Sequence, residues 1–139
     1  MAFSTLQVGQ AHSLTVLVTA ELVARFTDLS GDAAPLHTNE AFARAAGFSG
    51  ALVHGALLVA LVSRLVGMEF PGPNAILQRI DLSFPSPCYA PCTLKLTGTV
   101  RQISEAMKSV VLDISITAED GRVVARGKTW HGILDTSLI

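Results

Sequence analysis

Residues 51–67 read Ala-Leu-Val-His-Gly-Ala-Leu-Leu-Val-Ala-Leu-Val-Ser-Arg-Leu-Val-Gly, the most apolar stretch of the chain. The stretch falls short of the roughly 20 residues needed to cross a bilayer, and it contains His54, Ser63 and Arg64. A buried helix therefore fits better than a membrane span. Begun at His54-Gly55 and run to Gly67, that helix is apolar almost all round, which makes it a central element and not a surface one. Something must wrap around it, and the second half of the chain supplies strands.

Residues 75–84 alternate, with Ile76, Ile80, Leu82 and Phe84 on one side and Arg79, Asp81 and Ser83 on the other. Residues 93–102 place Leu94, Leu96 and Val100 on one face opposite Thr93, Lys95, Thr97 and Thr99. Residues 108–118 put Val110, Leu112, Ile114 and Ile116 in step, and 122–134 form a fourth run. Glu119-Asp120-Gly121 between the last two is a hairpin signal. Pro85, Pro87 and Pro91 make 85–91 a loop, since no central strand accommodates that many missing donors.

Before the apolar helix, 13–18 read as a short strand. Thr19 caps a helix starting near Glu21, with Leu22, Val23 and Phe26 on its apolar face and Gly31 just past its end. Residues 31–37 become a loop, and Thr38 caps a second short helix carrying Phe42, Ala45 and Ala46 that stops at Gly47. Helices first and long antiparallel strands afterwards give an α+β plan, with a sheet curved over one hydrophobic helix.

At 139 residues the chain makes one domain, residues 1–139, with room for a real core. Half of its residues are apolar and 15% are charged, against a usual share of roughly 25%. So little charge implies apolar surface covered by a partner subunit, hence a homo-oligomer. A net charge of −1 argues against nucleic-acid binding. Cys88 and Cys92 lack the spacing and the second pair of a zinc knuckle, so they read as reduced, structural cysteines. The N-terminus shows no signal-peptide pattern, which fits a cytoplasmic protein.

Chemistry concentrates in 26–37, Phe-Thr-Asp-Leu-Ser-Gly-Asp-Ala-Ala-Pro-Leu-His. Asp32 and His37 stand five residues apart, with Gly31 permitting the turn and Pro35 fixing one φ between them. A carboxylate and an imidazole converging on one point share a water and move protons through it. An aspartate at a helix end followed by proline also makes an ordinary turn. The second block, Val53-His54-Gly55-Ala56-Leu57, is what adds weight to chemistry. His12 reads as exposed, and His131 beside Trp130 as a packing or surface residue.

These two blocks resemble the MaoC-like (R)-specific enoyl-CoA hydratases, a branch of the hot-dog fold, for which a dimer is the natural unit. Phe26-Thr27-x-Leu29-Ser30-Gly31-Asp32-x-x-Pro35-Leu36-His37 is similar to the family's hydratase motif. Val53-His54-Gly55-Ala56-Leu57, followed by Ser63, is similar to the start of its central helix, and the order of elements agrees over nearly the whole chain. The resemblance implies that Asp32 and His37 are catalytic and that the Gly55 N–H meets the thioester oxygen. It also implies that Ser63 helps shape the pocket, and it implies hydration of trans-2-enoyl thioesters to (R)-3-hydroxyacyl products by syn addition from a single water. His54 reads as a residue that orients the helix start or joins the substrate site.

The substrate would be an acyl-CoA or acyl-carrier-protein thioester, whose coenzyme A or phosphopantetheine is part of the substrate. No metal and no separate cofactor is expected. Arg79, Arg101, Arg122, Arg126 and Lys128 are available for its phosphates. One departure stands out: Ala34 occupies the place where the family usually has an asparagine that braces the catalytic loop. Dehydration of 3-hydroxyacyl-carrier substrates, thioester hydrolysis by a lone carboxylate and a non-catalytic acyl-thioester-binding subunit are the alternative readings.

Overall fold

Alternation of apolar side chains decides the sheet. In the computed structural model, which describes residues 3–135, five strands form one antiparallel sheet in the order β1-β3-β4-β5-β2. They are β1 (Ala11–Val18), β2 (Ala75–Ser83), β3 (Cys92–Ser104), β4 (Ser109–Ala118) and β5 (Val123–Ile133). On one face Val16, Val18, Leu94, Leu96, Val100, Val110, Leu112, Ile114 and Ile116 are all buried. Against that face lies the apolar helix, α4 (Gly55–Arg64), which buries Leu57, Leu58, Leu61 and Val62. It continues as a π-helical turn, Leu65–Glu69, that adds Leu65 and Val66 to the same core. Each such side chain removed from water stabilises the fold by about 1.5–3 kcal/mol, so this one contact layer organises the molecule.

The helix is less enclosed than its composition implies. Ala56, Ala60, Ser63 and Arg64 are exposed, so the sheet covers one side and the other stays open.

The 53–57 segment is aimed by what precedes it. Thr19 caps α1 (Ala20–Ser30) by accepting the Leu22 N–H at 3.0 Å. Gly31 ends α1 with φ of 73°, a left-handed conformation that costs glycine nothing. The expected loop at 31–37 is only partly a loop, because Pro35 starts a single helical turn, α2 (Pro35–Thr38), which carries His37. The cap of the next helix, α3 (Glu40–Ala45), is Asn39 and not Thr38. The Asn39 carboxamide accepts the Phe42 N–H, while the Thr38 hydroxyl donates back to the Ala33 and Ala34 carbonyls.

Strand β2 departs from simple alternation. A bulge between Leu77 and Arg79 shifts the register, so Leu77 stands opposite His131 and Ile80 opposite Thr129. Leu77, not Ile76, therefore shares the inner face with Ile80, and Ile76 is left 47% exposed. His131 itself is fully buried, a packing residue whose Nε2 lies 2.7 Å from the Thr129 hydroxyl. Among the described residues no helix is long and apolar enough to cross a membrane.

Candidate active site

The loop after α1 and the entry to α4 meet at three side chains. Asp32 follows the Gly31 cap, His37 sits in α2 and His54 is the residue before α4. Their ligating atoms all lie within 4.8 Å of one another. Asp32 Oδ2 and His37 Nε2 are 3.9 Å apart, with the carboxylate side chain 49% exposed and the imidazole 18%. The carboxylate thus faces solvent while the ring is largely covered.

Hydrogen bonding fixes which nitrogen of His37 does what. Its Nδ1 lies 2.7 Å from the Leu52 carbonyl oxygen. A carbonyl can only accept, so Nδ1 carries the proton and Nε2 of the neutral ring presents its lone pair toward Asp32. Asp32 is held in turn, since its Oδ1 accepts the Ala34 N–H at 3.2 Å and its own N–H donates to Ser30 Oγ. A gap of this width, bounded by two hydrogen-bond acceptors, accommodates one water donating to both.

His54 supports this arrangement from below. Its ring stacks on His37 with centroids 3.9 Å apart and planes 20° from parallel. Its Nε2 donates to the Asp32 main-chain carbonyl at 2.9 Å, and Phe26 packs edge-on against it at 5.0 Å. One buried side chain therefore touches both halves of the pair. Its remaining nitrogen, Nδ1, is buried without a partner. With His54 Nε2 and His37 Nδ1 committed to carbonyls, lone pairs remain on His37 Nε2, on the Asp32 carboxylate and on the buried His54 Nδ1.

Gly55 is the next residue along. As the first residue of α4 its N–H has no intrahelical acceptor, and none exists elsewhere among the described residues. The position faces a neighbour that leaves little room, because a Cβ there would lie 3.2–3.4 Å from the Phe84 ring. A free donor at a helix N-terminus, one residue from the stacked imidazoles, suits a developing oxyanion.

The chain matches the model of the MaoC like domain over residues 4–120. The chain belongs to the MaoC-like family. An "(R)-specific enoyl-CoA hydratase" of Aeromonas caviae is 33% identical over 128 residues, 92% of this chain and 96% of the relative. Another of that description, from Rhodospirillum rubrum, is 31% identical over 126 residues, 91% of this chain and 87% of the relative. Among solved structures, the (R)-hydratase from A. caviae involved in PHA biosynthesis superposes with a TM-score of 0.88 at 32% identity. That superposition covers 94% of this chain and 98% of the other.

Within this family's site, the structure brings Asp32, His37, His54 and Gly55 together and leaves Ser63 apart. Ser63 lies about 12 Å further along α4, at 1.5 Å per residue, and is exposed on its open side. Ala34 is the N-cap residue of α2 and offers no side-chain bond there, so the place of the family's asparagine is a cap left unmade.

The five strand cations are mostly engaged on the sheet. Arg101 and Lys128 pair with Asp113, Arg122 with Asp120, and Arg79 lies 4.4 Å over the Trp130 ring. Two arginines outside that set, Arg25, which pairs with Glu21 at 3.0 Å, and Arg64, line an apolar groove of about 630 Å³ between α1 and α4. Phe26 and Leu57 belong to the same lining, so this groove abuts the His54 ring. His37 borders a smaller cavity of about 340 Å³ with Val23, Thr27, Val53 and Ala90. The Leu52 carbonyl left no trace in the sequence, because any residue supplies a carbonyl.

Proposed function

We propose that this protein is a hydro-lyase that reversibly adds water to trans-2-enoyl-CoA, giving (R)-3-hydroxyacyl-CoA. One observation carries the reading: the 3.9 Å gap between Asp32 Oδ2 and a His37 Nε2 whose lone pair is fixed by the Leu52 carbonyl. Water in that gap is polarised by both groups. As its oxygen attacks the β-carbon, His37 Nε2 takes one proton and Asp32 holds the other hydrogen, which remains in the new hydroxyl. Negative charge gathers on the thioester oxygen, where the Gly55 N–H and the α4 dipole stabilise it. Return of the proton from His37 to the α-carbon on the same face completes a syn addition with atoms in balance.

Two residues complete this proton path, so we propose that no metal or separate cofactor takes part. The apolar groove beside Phe26 suits an acyl chain, and Arg25 and Arg64 along it suit the phosphates of the carrier. We further propose a homodimer, supported by the uncovered side of α4 and by Ile76 and Leu77 on the edge strand β2. The two free thiols favour residence in the reducing cytoplasm.

Crotonyl-CoA and a longer enoyl-CoA test the reading by absorbance. Hydration removes the conjugated absorbance without releasing thiol. Released thiol would instead identify a thioesterase, and binding without turnover a non-catalytic subunit. Parallel runs with 3-hydroxyacyl-carrier-protein substrates separate a dehydratase from a hydratase by rate. Light scattering on the eluted protein tests the dimer, and a monomer's mass would refute it.

A further inference from the structure

Both cysteines of the chain lie at the entry to β3, Cys88 in the loop after β2 and Cys92 in the strand, with their sulfurs 3.1 Å apart. Both are free thiols, Cys88 buried and Cys92 half-buried. Cys92 is the first residue of β3, where it pairs with Val18 of β1, so its backbone is held by the sheet. Cys88 lies in the irregular segment before it. Of the two backbones, that of Cys92 is therefore the one held by strand pairing.

Cys88 is also connected to the active site by one peptide group. The Val53 N–H donates to the Cys88 carbonyl at 2.7 Å. That N–H belongs to the same peptide plane as the Leu52 carbonyl, which accepts from His37 Nδ1 at 2.7 Å. The relay runs from the Cys88 carbonyl through the Leu52–Val53 peptide to the imidazole, and tilting that plane changes both bonds together.

We propose that Cys88 and Cys92 form a reversible dithiol–disulfide pair whose closure shifts the hydrogen-bond seat of His37. Its effect on activity rests on the hydration chemistry proposed above; the thiol chemistry stands by itself.

The oxidant would be a hydroperoxide. Cys92 is the more accessible thiol and borders a surface cavity of about 270 Å³ that a small peroxide can enter. Its thiolate attacks the peroxide, the O–O bond breaks, and a sulfenic acid forms while the departing oxygen leaves as water or alcohol. The Cys88 sulfur then attacks the sulfenic sulfur. An S–S bond forms, the S–O bond breaks, and the Cys88 proton leaves with the hydroxyl as water. Two thiols lose two electrons and one peroxide gains them. Burial, with help from the neighbouring Cys92, pushes the Cys88 thiol up to about 12, so the first attack falls to Cys92, and Cys88 resolves through its 3.1 Å proximity. Forming the bond brings the sulfurs closer than their present 3.1 Å, and the part of that movement that reaches the Cys88 backbone acts on the 2.7 Å hydrogen bond at its carbonyl.

Hydrogen peroxide is the probe, and the wild-type chain, Cys92→Ser and Cys88→Ser are the samples. Wild-type protein should fall from two titratable thiols to none, lose the mass of two hydrogens, and regain both with dithiothreitol. The His37 Nδ1–H signal in proton NMR should shift on oxidation of the wild type and stay fixed in peroxide-treated Cys92→Ser. Hydration should slow several-fold in oxidised wild type, with the loss in kcat and not in KM. Two thiols surviving treatment would overturn the proposal, as would a disulfide that leaves the His37 signal unmoved. An absence of hydration in every sample would overturn the proposed function instead, leaving the thiol and NMR results to decide this pair.

Discussion

Acidification should destabilise this protein through His131, by an amount the structure allows to be worked out. The ring is fully buried, its Nε2 meets the Thr129 hydroxyl, and its Nδ1 has no partner. Burial lowers its pKa from 6.5 to about 4. In the unfolded chain the imidazole takes a proton below pH 6.5, whereas in the folded protein it waits until about pH 4. The unfolded state thus binds more protons throughout that window, and stability falls as pH falls through it. The loss is negligible at pH 7.5, about 2 kcal/mol at pH 5, and about 3 kcal/mol once both states are protonated. Denaturant unfolding at pH 7.5, 6, 5 and 4.5 measures it, with His131→Leu run alongside. That variant keeps the side chain's bulk and removes its titration. The difference between the two curves isolates His131 from the carboxylates, and the wild type should lose about 2 kcal/mol relative to the variant between pH 7.5 and pH 5. Parallel curves for the two proteins would refute the reasoning, since the buried ring would then titrate as it does in the unfolded chain.

Gly55 separates a donor from a volume. Pro is tolerated at a first helical position and removes the N–H, so Gly55→Pro should lower kcat by about 10²–10³. Gly55→Ala meets the same Phe84 ring but keeps the donor, and should stay far closer to wild type; equal losses in the two would assign the effect to crowding. Ala34→Asn should supply the missing cap of α2 and raise the unfolding free energy by about 1 kcal/mol in denaturant titration, and an unchanged midpoint would show the turn needs no cap. Replacing His54 by Phe keeps a ring beneath His37 but deletes the bond to the Asp32 carbonyl. Its kcat should fall by about 10-fold or more with KM nearly unchanged, since a misplaced catalytic group costs rate; a wild-type kcat would remove His54 from the account.

Much of the fold was written in side-chain periodicity. Val110, Leu112, Ile114 and Ile116 alternate without interruption, and all four are buried as expected. Thr19 and Gly31 bracket α1 because a side-chain oxygen before a helix and a left-handed glycine after it are local chemistry. Periodicity fails where an extra residue enters a strand. The bulge at Leu77/Arg79 put Ile76 on the face opposite to the one its spacing suggested. Asn39 displaced Thr38 as the α3 cap because Pro35 had already begun a turn that claims Thr38.

In the site, Asp32 and His37 were legible as residue types at a meaningful spacing. The stack of His37 on His54 was not, because it joins segments 17 residues apart through packing alone. Ser63 carried a family position, yet one chain leaves it on the open side of α4. The Leu52 and Cys88 carbonyls belong to the main chain, which no sequence motif distinguishes.

The water-holding pair at Asp32 and His37 is the centre of the account, and single-site kinetics reach it most directly. Hydration of crotonyl-CoA should fall by about 10²–10⁴-fold in Asp32→Asn and in His37→Ala alike. The double variant should do little worse than either, because both groups act on one water. Wild-type turnover in either single variant, with the protein folded, would contradict it.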